Sequence, residues 1–116
     1  MSKANFGQLQ AAGRVPATSE TFISPSQAYA QGYEGTTVKF TVQAGTQDAL
    51  AGIGIRDSSA VASAAYPDMP SPQNFSGWTR TSAYFKGEGR VLNIGLGRGP
   101  ALDIFNNAIL GFEVVP

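Results

Sequence analysis

The sequence has no cysteine and no histidine. Without cysteine there are no disulfides, no thiolate zinc sites and no cysteine nucleophile. Without histidine the commonest general base, the usual metal ligand and the Ser-His-Asp triad are all lost. Any chemistry here must run on Ser, Thr, Tyr, Arg, Lys, Asp and Glu, with no metal expected. Charge is scarce as well: 14% of residues, eight basic against eight acidic, for a formal net charge of zero. Such a chain carries no overall electrostatic footprint for nucleic acid or an anionic membrane, although a local basic site would still serve an RNase. No apolar run approaches the roughly 20 residues of a membrane span, and the N-terminus lacks a signal-peptide pattern. The opening Met1-Ser2-Lys3 reads as a start joined to a domain taken from a longer protein, from its C-terminal end.

What is present suits one small folded unit. With 116 residues, 42% of them hydrophobic, the chain is expected to form a single domain over 1–116 around one modest core. Ala4 to Ala12 has a weak helical spacing (Phe6, Leu9, Ala12) ended by Gly13. Thr21 to Ser24 is a short β-rich run stopped by Pro25. Ser24 is then a natural N-cap, with Pro25 at the first helical position, for a helix through about Tyr33 that Gly35 closes. Thr36 to Val42 is the clearest strand, with Val38, Phe40 and Val42 on one face. Asp48 to Gly52 suggests a helical turn, and Gly52 to Arg56 returns to extended chain. Asp57 to Ser82, with three prolines (Pro67, Pro70, Pro72), is poor in regular signals and reads as a functional loop or covering flap. Arg90 to Leu96 is a second good strand, Pro100 opens a helix over PALDIFNNA, and Ile109 to Val115 is the last strand. The expected fold is α+β, with a mixed, mainly antiparallel sheet and a few short helices.

Three constellations could carry chemistry. Ser24-Pro25-Ser26 is a helix cap that also has a hydroxyl to orient something in a cleft. Glu88, between Gly87 and Gly89 directly before a strand, is either a surface turn or a carboxylate where backbone can approach a ligand. Gly95 to Gly99 leads into a helix, which can cradle phosphate, but its spacing fits no phosphate-loop pattern and Pro100 removes one amide donor. It reads first as a tight connection. Trp78 is a packing residue or a loop lid, and Arg56-Asp57 is read most simply as a local ion pair.

Together Arg14, TFISPS, the short helix with Ala30 and Tyr33, and TTVKFTV resemble the core of ADP-ribosyltransferase toxin domains. There an arginine on an early strand precedes a strand ending in a Ser-Thr-Ser motif, and a glutamate at the start of a later strand completes the site. GRVPATSETFISPS and GEGRVLNIGLGRGPALDIFNNAILGFEVV look like C-terminal toxin domains of bacterial Rhs-type and contact-dependent polymorphic systems. The resemblance implies Arg14, Ser24 and Glu88 as catalytic residues, with Ser26 as the third residue of the serine motif. Pro25 stands where the family has threonine, and Lys86 where it often has a second carboxylate or glutamine. Arg56 and Arg90 are the substitutes for Arg14.

The implied substrate is NAD⁺. Glu88 would hold the ribose 2′-hydroxyl and stabilise positive charge, Ser24 would position Glu88, and Arg14 would grip the pyrophosphate. Phe22 or Tyr33 would pack on nicotinamide, and the 57–82 segment would cover the site and recognise the acceptor. The resemblance further implies a cognate immunity protein, delivery by a secretion system, action in the target cell's cytoplasm, and a macromolecular acceptor, protein rather than nucleic acid. Two other readings stand beside it. One is a histidine-free RNase using Lys86, Arg90, Tyr84 and Arg98; the other is a non-catalytic binding module.

Overall fold

Local grammar and burial agree at both ends of the chain. In the computed structural model, which describes residues 1–18, 21–26, 30–32 and 35–115, the elements are α1 (Lys3–Ala12), β1 (Phe22–Ile23), β2 (Val38–Val42), α2 (Thr46–Ala51), β3 (Gly54–Arg56), α3 (Ala60–Ala65), α4 (Trp78–Thr81), β4 (Ala83–Glu88), β5 (Val91–Gly95), α5 (Pro100–Ala108) and β6 (Ile109–Val114). Ser2 caps α1 by accepting from Asn5 N, and Gly13 ends it in the left-handed region at φ 69°. Pro100 opens α5 as predicted, since its fixed φ suits a first turn whose amides lack partners anyway. That helix buries Ala101, Leu102, Phe105 and Ala108 along one face.

The domain is α+β, as expected, but its strands divide between two sheets. β1-β5-β4-β3 form one, mostly antiparallel with a parallel β3–β4 pair, and β2-β6 form a separate antiparallel ribbon. Two sequence expectations change here. The Asp57 to Ser82 stretch carries helices α3 and α4, and it is the crossover that parallel neighbours β3 and β4 require. Ser59 caps α3 by accepting from Ala62 N, and the alanine-rich run behind it favours helix. The second change is β4 itself. Glu88 does not sit in a turn ahead of a strand; it ends β4, paired with Val91 across a tight hairpin.

Strand alternation sorts β4 and its neighbours. Ala83 and Phe85 are fully buried with Ile94, Leu96, Leu9 and Leu50 in the main core. Each such large side chain removed from water contributes roughly 1.5–3 kcal/mol. Tyr84, Lys86 and Glu88 point to the opposite face, where Asn93 pairs with Lys86 and Gly95 with Tyr84. Asp57 ties this strand to the crossover: its Oδ2 accepts from Gly87 N at 3.1 Å, and its Oδ1 accepts from Ser59 N at 3.1 Å and Ser59 Oγ at 2.5 Å. No helix among the described residues is long and apolar enough to cross a membrane.

Candidate functional site

A cleft of about 950 Å³ wraps around edge strand β1, lined on one side by Lys86, Glu88 and Asn93 and reaching on the other to the core residues Val15, Leu50, Ile94 and Phe105. That volume is at the upper end of the range typical for small-molecule sites. Phe22, Ser24 and Ser26 contribute one wall, Lys86, Glu88 and Asn93 another, and the β2 ribbon a third through Lys39 and Phe40. The cleft therefore contains both Ser24 and Glu88, which lie far apart in sequence. β5 brings them together: it pairs with β1 on one side (Ile23 with Ile94) and with β4 on the other (Glu88 with Val91).

Ser24 makes a local turn rather than the expected helix cap, since Pro25 and Ser26 are not helical. Its Oγ accepts from Ser26 N at 3.1 Å, and Ala30 N donates to Ser26 O at 3.1 Å. The expected helix runs into residues 27–29 and 33, so the assignment of Tyr33 to the nicotinamide face lies outside the described residues. Glu88 is half-buried and ion-paired through Oε1 to Lys86 Nζ at 2.9 Å. The two sit two positions apart on one face of β4, and so open a pair adds little to stability. Lys86 Nζ also lies 5.9 Å from the centroid of the Phe22 ring.

Phe22 belongs to an aromatic cluster above Gly95. Its ring lies 5.9 Å from that of Trp78 and 6.1 Å from that of Tyr84, and Phe75 stacks on Tyr84 at 4.7 Å. The cluster needs glycine beneath it, because a Cβ at Gly95 would come within 2.7 Å of Trp78 and 2.9 Å of Phe22. Phe75 and Trp78 come from the crossover, so that segment does pack beside the cleft wall. Phe22 nonetheless keeps 39% of its surface exposed. Burial pushes the Tyr84 hydroxyl above its ordinary pKa, Asp57 adds to the shift, Lys86 opposes it and Glu88 adds again.

The arginines are distributed differently from expectation. Arg14 is exposed, and both terminal nitrogens reach Asn107 Oδ1 at 3.4 Å; its neighbour Val15 lines the cleft, but Arg14 does not. Arg56 is occupied on the far side of the sheet by Ser63 Oγ at 2.9 Å, Asp57 O at 3.1 Å and Pro67 O at 3.4 Å. It braces the crossover rather than pairing with the Asp57 carboxylate. Arg90 is exposed in the β4–β5 turn. The arginine that does line the cleft is Arg98, in the glycine-rich turn before α5.

Sequence reasoning also missed Asn93 and Lys39. Asn93 is 3% exposed, lines the cleft, and its Oδ1 has no hydrogen-bond partner among the described residues. The signal was a lone polar residue inside the apolar run RVLNIGL. Among the described residues, the charged side chains lining the cleft are Lys39, Lys86 and Arg98 against Glu88 alone. A chain of zero net charge thus concentrates positive charge where a ligand would sit. A family model described as the PT3 toxin domain matches residues 1–114. Among curated proteins, none matches the sequence.

Proposed function

The chain belongs to the PT3 toxin domain family, and from that premise we propose that it transfers ADP-ribose from NAD⁺ to a macromolecule. One observation carries this reading: Ser24 and Glu88 line one cleft, together with an excess of cations. A carboxylate and a hydroxyl in one pocket that attracts anions suit a pyrophosphate-bearing substrate with a ribose to be cleaved.

In the reaction the bond between ribose C1′ and the nicotinamide nitrogen breaks, and its electron pair leaves with neutral nicotinamide. A lone pair on the acceptor forms the new bond to C1′, and the acceptor releases a proton. The leaving group needs no strong general acid. Glu88 holds the ribose 2′-hydroxyl and stabilises the oxocarbenium-like charge, as carboxylates do in glycoside cleavage. Arg98 takes the pyrophosphate role that the resemblance gives to Arg14, and Phe22 offers its exposed face to the nicotinamide ring. The remaining expectations go with this reading: a protein acceptor in the cytoplasm of a target cell, delivery by a secretion system and a cognate immunity protein.

Incubation with labelled NAD⁺ and a bacterial lysate tests it. The native domain should label a macromolecule, Glu88→Ala should lower labelling by at least about 100-fold, and Arg98→Ala should raise the KM for NAD⁺. Absence of labelling by the native domain, or equal labelling by Glu88→Ala, refutes the reading. A second reading draws on the same cations: Lys86 and Arg98 could stabilise a phosphodiester transition state. RNA breakdown that Lys86→Ala abolishes, with no use of NAD⁺, would select an RNase instead.

A further inference from the structure

The Asn93 carboxamide is a buried cleft group whose chemistry the proposed transfer leaves unused. It lies mid-strand in β5, its Cα register partner is Lys86, and one residue beyond the Ile23–Ile94 pair Ser24 falls beside it. It therefore belongs to the sheet face that carries Ser24, Lys86 and Glu88. An apolar residue would suit a position 3% exposed, yet this one holds an amide whose Oδ1 has no partner among the described residues. Lys86 is engaged by Glu88 at 2.9 Å. Buried polar atoms are almost always paired, and an unpaired one costs stability that a ligand can restore.

We propose that Asn93 is the specificity-determining residue for the leaving group, pairing its carboxamide with that of nicotinamide. The inference rests on the transfer reading above. A primary amide offers a donor and an acceptor in one plane, matching an asparagine amide in either orientation. The carboxylate of a deamidated dinucleotide offers acceptors only. Whichever way Asn93 is turned, it then leaves Oδ1 facing a negative oxygen or unpaired. The selection is the kind that a built polar contact makes and an apolar pocket does not. The exposed ring of Phe22, on the same sheet face, supplies the apolar surface against which the pyridinium ring lies.

The test compares NAD⁺ with nicotinic acid adenine dinucleotide as donor, using the full chain and Asn93→Leu. The native protein should prefer NAD⁺ by roughly 10- to 100-fold in kcat/KM, the effect of one buried polar atom left unpaired. Asn93→Leu should bring that ratio to within about threefold, weaken product inhibition by free nicotinamide, and keep or raise the urea midpoint because an orphaned polar atom is gone. Asn93→Ala serves the same comparison if leucine overfills the position. Cleavage of NAD⁺ with equal use of both donors, or an unchanged ratio in both variants, overturns the inference while the transfer reading survives. Failure to bind or cleave either dinucleotide overturns both.

Discussion

Asn106 of α5 holds the segment after α1 with both ends of its amide. Oδ1 accepts from Val15 N at 2.8 Å and Nδ2 donates to Val15 O at 3.1 Å. Asn106 is 8% exposed and Val15 4%, so water does not readily replace either bond. Asn106→Ala leaves a buried N–H and a buried C=O without partners. At about 1–3 kcal/mol for each, less whatever relaxation recovers, the loss should be about 2–4 kcal/mol. That is a large part of the roughly 5–15 kcal/mol typical of a domain. With a urea m-value of about 1–3 kcal/mol/M, the midpoint should fall by roughly 1–2 M at unchanged m. Asn106→Asp sharpens the test. Its carboxylate still accepts from Val15 N but sets a negative oxygen against Val15 O, so its pKa should rise on folding. Stability of that variant should therefore increase as the pH falls through the raised value, when the protonated acid can donate. A loss below about 0.5 kcal/mol for Asn106→Ala, or no recovery of Asn106→Asp in acid, would refute the idea that this amide fixes the cleft wall at Val15.

Gly97 has φ +65°, and a Cβ there would come 2.5 Å from Thr79 O, so Gly97→Ala should cost about 1–3 kcal/mol in urea unfolding; a neutral result would mean that α4 shifts freely. The raised pKa of Tyr84 favours its neutral form in the folded state, so its contribution is present below the ordinary value near 10 and lost as the pH rises through the folded value. The stability advantage of the native chain over Tyr84→Phe should accordingly shrink as the pH rises above about 10, read from urea midpoints. A constant difference would contradict the burial assigned to that hydroxyl.

The elements legible in the sequence were those whose signals are local. Pro100 with its glycine-rich approach marked α5, β-branched alternation marked β2, and Gly13 marked the end of α1. β4 was missed because Lys86-Gly87-Glu88 has the composition of a turn, although Ala83 and Phe85 against Tyr84 and Lys86 already showed a two-residue period. The division into two sheets was illegible for a different reason. Partner choice is non-local, and nothing within β2 or β6 announces that they pair with each other rather than with β1. The site followed the same division. Ser24 and Glu88 could be named from a resemblance, but that Arg98 and Lys39 line their cleft while Arg14 turns to Asn107 depends on loop paths that no local pattern encodes.

The two ends of the domain meet at the cleft. Val15 is bound to Asn106, Phe22 pairs with Gly95, and Val38 pairs with Val114. The wall that β2 contributes is not complete until β6 has paired with it, and contacts of such long sequence separation are the slow ones to form. A chain in which β6 has not yet paired with β2 therefore lacks the support for that side of the cleft, so the pocket closes late in folding, after the local elements that surround it.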